Sequence, residues 1–143
     1  MNATPINHEG RCHCGAIGFS FRTRLAPREW NVRACQCSFC RAHGALSASD
    51  PSGAIEFHEL QSGALERYRF GLRTADFLLF RRCGVYIGAL IETPGGRFGI
   101  VNVNALRPLP ADLPAPGAMD YGEETSEQRI GRREQRWTPV VLA

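Results

Sequence analysis

Ala34-Cys35-Gln36-Cys37-Ser38-Phe39-Cys40-Arg41-Ala42-His43-Gly44 is the stretch on which the reading of this chain turns. Three thiols fall within six positions, interleaved with Gln36 and Ser38 and followed by Arg41, which are poor core material. Along extended backbone alternate side chains share a face, so Cys35 and Cys37 point the same way and Gln36 points opposite. Cys37 and Cys40 have the spacing of a turn that folds two sulfurs onto one ion, and Ser38 suits that turn. The spacing predicts a metal site with three protein ligands. Zinc takes four, and three protein ligands with one open position is the arrangement of catalytic zinc. Two plainer readings stay open on these residues alone: a dithiol pair doing redox chemistry, and reduced thiols that simply pack.

A second cluster, Gly10-Arg11-Cys12-His13-Cys14-Gly15, lies upstream. Ile17, Phe19 and Phe21 alternate with Gly18 and Ser20 immediately after it, so it leads into a half-buried strand. Strand alternation turns His13 away from the two sulfurs. The remaining cysteine stands in Arg81-Arg82-Cys83-Gly84, directly after the apolar run Phe77 to Phe80.

At 143 residues the chain fits one domain, residues 1–143, and is long enough to bury a core. Its net charge of +3 is scattered, which argues against a dedicated nucleic-acid surface. Met1 to Gly10 lacks a basic region followed by an apolar run, and no segment approaches the ~18 apolar residues of a membrane span. A cytoplasmic protein without nucleic-acid or membrane partners is expected. In that compartment thiols stay reduced, so six clustered cysteines point to metal rather than disulfides.

Ile55 to Leu60, Ala64 to Phe70, Phe77 to Phe80 and Val85 to Ile91 read as short antiparallel strands. Pro94-Gly95-Gly96 between Ile91-Glu92-Thr93 and Arg97 to Val101 predicts a hairpin. Arg22 to Arg33 reads as a connection, Arg41 to Leu46 as a turn of helix, and Leu106 to Gly117, with its prolines, as an extended surface segment. Thr125-Ser126-Glu127-Gln128 has the form of a capping box, predicting a helix through Trp137 that Pro139 stops. Ile130 and Trp137 would dock it, leaving Arg129, Arg132, Arg133 and Arg136 solvated, with contact to nucleic acid or an anionic partner as the less favoured reading of this basic run. His43 reads as a solvent-facing residue or a proton carrier.

Taken in order, Gly10-Arg-Cys12-His-Cys14-Gly15, Cys35-Gln-Cys37-Ser-Phe-Cys40-Arg and Arg82-Cys83-Gly84 resemble the glutathione-dependent formaldehyde-activating enzymes, which include relatives of centromere protein V. The resemblance spans roughly Gly10 to Asn104. It implies a mainly β, Mss4-like β-tent of antiparallel strands, here with a short C-terminal helix. It also implies a catalytic zinc at Cys35, Cys37 and Cys40 and a structural zinc at Cys12, Cys14 and Cys83. The family's reaction adds glutathione to formaldehyde to give S-hydroxymethylglutathione. The chain departs from the family pattern where a fourth structural cysteine belongs three residues before the Cys-Gly pair, because Phe80 stands there. One or two zinc ions per chain are expected, the second weakly held or missing.

The expected function is therefore that of a zinc-dependent carbon–sulfur lyase or synthase acting on a thiol adduct of a small aldehyde. Arg41 is a candidate anchor for glutathione's carboxylates. The rival reading is a non-catalytic, zinc-stabilised protein-binding module on the same scaffold. A zinc-ribbon nucleic-acid binder would show two Cys-x-x-Cys pairs, and this chain has one.

Overall fold

The computed structural model describes residues 4–142, so the part of the Met1 to Gly10 reading that concerns residues 1–3 lies outside it. Eleven strands and two α-helices follow in the order β1 (Ile6–Arg11), β2 (Ile17–Thr23), β3 (Arg33–Cys35), α1 (Ser38–His43), β4 (Ser47–Ala48), β5 (Ala54–Glu59), β6 (Glu66–Tyr68), β7 (Asp76–Leu79), β8 (Tyr86–Thr93), β9 (Gly96–Asn102), β10 (Gly117–Met119), α2 (Ser126–Arg136) and β11 (Thr138–Leu142). The fold is mainly β with a short C-terminal helix.

One layer runs β1-β2-β5-β11, and the other runs β10-β3-β4-β9-β8-β7-β6. Strand β11 joins them, lying parallel to β5 and antiparallel to β9. With the parallel pair β10 and β3 this makes the sheet mixed, where the family pattern implies antiparallel strands. The expected hairpin is present: Thr93 pairs with Gly96 across Pro94-Gly95, and the ladder runs on to Gly88 and Val101. Leu106 to Gly117 is largely irregular, but Leu106 itself is buried and bridges Gly10.

Two local expectations are corrected, the start of the first helix and the solvation of Arg133. Helix α1 starts at Ser38, earlier than Arg41, because Cys37 keeps extended backbone and its sulfur accepts the Cys40 N–H as an N-cap. Helix α2 ends at Arg136 with Trp137 as its C-cap, before Pro139 as expected, and the chain then enters β11: Pro139 pairs with Phe98 of β9, and pairing with β5 begins only at Val140. A proline flanked by a ladder on one side is tolerated in a strand. Helix α2 has its capping box at Thr125 and Gln128, yet Arg133 is buried rather than solvated.

The β8–β9 hairpin separates two cores. Ile87, Leu90, Val101 and Val103 pack with Phe19, Phe21, Trp30 and Phe80 on one side, together with Cys12. Tyr86, Ala89, Ile91 and Ile100 pack with Phe77, Trp137 and Cys40 on the other. A register shift at Leu78/Leu79 leaves Ile87 as an extra residue in β8, and this bulge turns Tyr86 to the same side as Ala89 and Ile91. Gly88 sits where β8 has no room for a side chain, because a Cβ there would clash with the Ile100 carbonyl oxygen of the neighbouring strand. Each core carries one cysteine cluster at its margin.

Candidate metal centre and its cavity

Cys35 ends β3, Cys37 caps α1 and Cys40 lies in its first turn, so a strand end and a helix start deliver the three sulfurs. The Cys40 N–H to Cys37 Sγ distance is 3.4 Å, and the Cys40 carbonyl accepts from Ala45 as Gly44 turns the chain at φ 59°. Glycine adopts this left-handed conformation without steric cost. The three sulfurs lie within 4.8 Å of one another. Cys12, Cys14 and Cys83 form a second such group at the opposite core. Among the described residues neither group contains a fourth Cys, His, Asp or Glu donor.

The second group is built by the same kind of turn. The Cys12 sulfur accepts the Ile17 N–H at 3.4 Å, and Cys12 Sγ lies 3.8 Å from Cys14 Sγ. The segment from Phe80 to Gly84 closes through a Gly84 N–H to Phe80 carbonyl bond of 2.7 Å, with Gly84 at φ 74°. Phe80 thus occupies the position in its turn that Cys37 occupies in the other, but its ring is 5% exposed and belongs to the core.

Three neighbouring thiols resist simultaneous ionisation. Hydrogen bonds from Cys35 and then Cys40 hold the Cys37 thiol down at about 2, and contacts with Cys35 and then Cys37 push Cys40 far above the ordinary thiol range. Cys35 is raised, chiefly by Cys37. One sulfur carries the charge while its neighbours keep their protons, which is the charge problem a divalent cation resolves. At Cys83 burial opposes ionisation, yet backbone N–H groups at Val85 and Cys14 lead the contributions that bring the thiol to about 7. Soft sulfur donors at this separation fit zinc in both groups.

Cys35, Cys37 and Cys40 open onto a cavity of about 140 Å³ walled by Arg33, Arg129, Arg132, Arg133, Tyr121 and Trp137, among other residues. The sequence reading missed the cationic wall, although its spacings carry it. Arg33 and Cys35 are two apart on β3 and share a face, and Arg133 lies one helical turn before the docked Trp137. Arg41 is exposed and does not line the cavity. His43 is also exposed, with Nδ1 3.2 Å from the Phe39 carbonyl oxygen, and its ring lies 4.4 Å from that of Phe39. His13 is exposed and belongs to neither sulfur group.

Tyr86 was equally hidden in the sequence. Its hydroxyl is buried and has no hydrogen-bond partner among the described residues. Burial raises its pKa, and the charge of the nearby cysteines, Cys40 first, adds to the effect.

The model of the glutathione-dependent formaldehyde-activating enzymes matches residues 7–111, which covers both sulfur groups and stops before α2. The chain is also similar to the crystal structure of a Rhodobacter sphaeroides protein. The two are 30% identical over 78% of this chain and 99% of that one, with a TM-score of 0.59. The chain belongs to the glutathione-dependent formaldehyde-activating enzyme family. Among the described residues no helix is long and apolar enough to cross a membrane.

Proposed function

We propose that the protein is a zinc-dependent carbon–sulfur lyase or synthase that interconverts a small aldehyde, glutathione or a similar thiol, and their adduct. The observation that carries this reading is a group of three sulfurs facing a cavity with no fourth Cys, His, Asp or Glu donor among the described residues, the coordination that catalytic zinc uses. Cys35, Cys37 and Cys40 would hold the ion; Cys12, Cys14 and Cys83 would hold a structural one more weakly. Bound at the first group, zinc supplies a Lewis acid with a position open to a thiolate or a carbonyl oxygen. The chain's own contribution is placement. Strand β3 and helix α1 fix the sulfurs, Trp137 and Phe77 wall the cavity with apolar surface, and the arginines give it positive charge. A single domain and a cytoplasmic location complete the proposal.

The test is exchange spectroscopy by NMR on zinc-loaded protein with formaldehyde and glutathione. The expected result is accelerated interconversion of the free pair and the hydroxymethyl adduct, lost together with the metal in Cys37→Ser. No acceleration with any small aldehyde and low-molecular-weight thiol would leave the non-catalytic binding module as the better account.

A further inference from the structure

The cavity over Cys35, Cys37 and Cys40 carries more positive charge than its own residues neutralise. Arg129 and Arg132 both donate to Glu124, at 3.3 Å from one and at 2.8 and 3.0 Å from the other. The Arg132 guanidinium also lies 3.6 Å over the Tyr121 ring. Asp120 is exposed, and its Oδ1 accepts the Gly122 N–H at 2.9 Å. Arg33 donates only to neutral oxygens, the Asn31 carbonyl at 3.2 Å and Ser49 Oγ at 2.9 Å. Neither Arg33 nor Arg133 forms an ion pair among the described residues.

Arg133 is the sharpest case. It is 8% exposed, and its guanidinium carbon lies 4.7 Å over the Trp137 ring. Nη1 donates to Thr74 Oγ1 at 2.8 Å, whereas Nε is buried without any partner among the described residues, and Nη2 makes no hydrogen bond there either. The donors left unused on this cavity-lining residue are those of the Nε–Nη2 edge, two parallel N–H groups that match the two oxygens of one carboxylate. A buried cation with an unused donor is costly unless a counter-charge completes it. Burial and the neighbouring Arg132 and Arg129 act in the same direction, lowering the Arg133 pKa to about 10.

We infer that the cavity is built for an anionic substrate, whose carboxylate docks on the Nε–Nη2 edge of Arg133 beside Arg33 while its reacting end lies at Cys35, Cys37 and Cys40. The inference deepens the thiol–aldehyde reading and rests on it only for what happens at the sulfurs. Glutathione and an oxo-acid aldehyde such as glyoxylate both offer this carboxylate.

Titration calorimetry on the zinc-loaded full chain tests it without turnover, so it can succeed or fail independently of the exchange assay. The probes are S-methylglutathione, its diethyl ester, and glyoxylate, each measured on the wild type, Arg133→Gln, Arg33→Gln and, as an exposed control, Arg41→Gln. Wild type should bind S-methylglutathione or glyoxylate, with Kd weakened roughly tenfold to a hundredfold in Arg133→Gln, less in Arg33→Gln and not in Arg41→Gln. A loss confined to S-methylglutathione, reproduced on the unmutated protein by the diethyl ester, assigns the carboxylate to the thiol. A loss with glyoxylate assigns it to the aldehyde. The ester comparison also stands if a variant folds poorly. The inference is overturned if wild type binds neither acid, if ester and acid bind alike and glyoxylate does not bind, or if Arg133→Gln and Arg33→Gln keep wild-type affinity for both acids.

Discussion

Replacing Phe80 with cysteine sets two effects of opposite sign against each other at the group formed by Cys12, Cys14 and Cys83. The ring is 5% exposed in the larger core, among residues such as Phe19, Leu78 and Leu106. Removing a buried aromatic ring to alanine costs about 3–5 kcal/mol, and a sulfur refills part of the space, so Phe80→Cys should cost about 2–4 kcal/mol without metal. For a domain of this size about 3 kcal/mol corresponds to a drop in Tm of roughly 10 °C. The new sulfur would stand three residues before Cys83, in a turn already closed by the Gly84 N–H to Phe80 carbonyl bond of 2.7 Å. If it completes the ligand set and tightens zinc a hundredfold, mass action returns about 2.7 kcal/mol. Thermal unfolding with chelator and with excess zinc, alongside zinc counts, separates the two. The variant should be clearly less stable than wild type in chelator and nearly equal to it in zinc, holding two tight ions where wild type holds one tight and one weak. Two equally tight ions in the wild type, or unchanged zinc affinity in the variant, would refute the reasoning.

Further outcomes follow from particular contacts. Tyr86→Phe removes a buried hydroxyl that has no partner among the described residues, so urea unfolding of the chelator-treated protein should show no loss, or a gain of up to about 1 kcal/mol; a clear loss would show that the hydroxyl is bonded. Glu124 is held below its ordinary value of 4.5, first by the hydrogen bond from Arg132. A lowered folded pKa means stability present above 4.5 and lost as pH falls through the folded value, so the penalty of Glu124→Gln should be about 1 kcal/mol at neutral pH and fade in acid. A penalty independent of pH would locate the effect in packing. Thr125→Ala removes the cap that accepts the Gln128 N–H at 3.1 Å and should cost about 1 kcal/mol by the same measurement; an unchanged midpoint would mean that tertiary docking alone holds α2.

The features that depend on near neighbours were legible in the residues alone. The spacing of Cys35, Cys37 and Cys40 is short enough that one strand end and one helix start must bring the sulfurs together, and the Thr125 capping box and the Pro94-Gly95 turn are equally local. Grouping Cys12 and Cys14 with Cys83 came from the family resemblance, since local spacing says nothing of a partner so far along the chain. The rest is settled where distant segments meet. Strand β11 was invisible because Pro139 reads as a stop, and its place between β5 and β9 is set by pairing partners far away in sequence. Tyr86 joins the core that holds Cys40 because a bulge in β8 changes the face of one residue, a shift no alternation pattern announces. The arginines of α2 read as a wet face because helical periodicity ranks residues by polarity. Burial of Arg133 is decided instead by the cavity that β3, the loop before β7 and the segment around Tyr121 close over it.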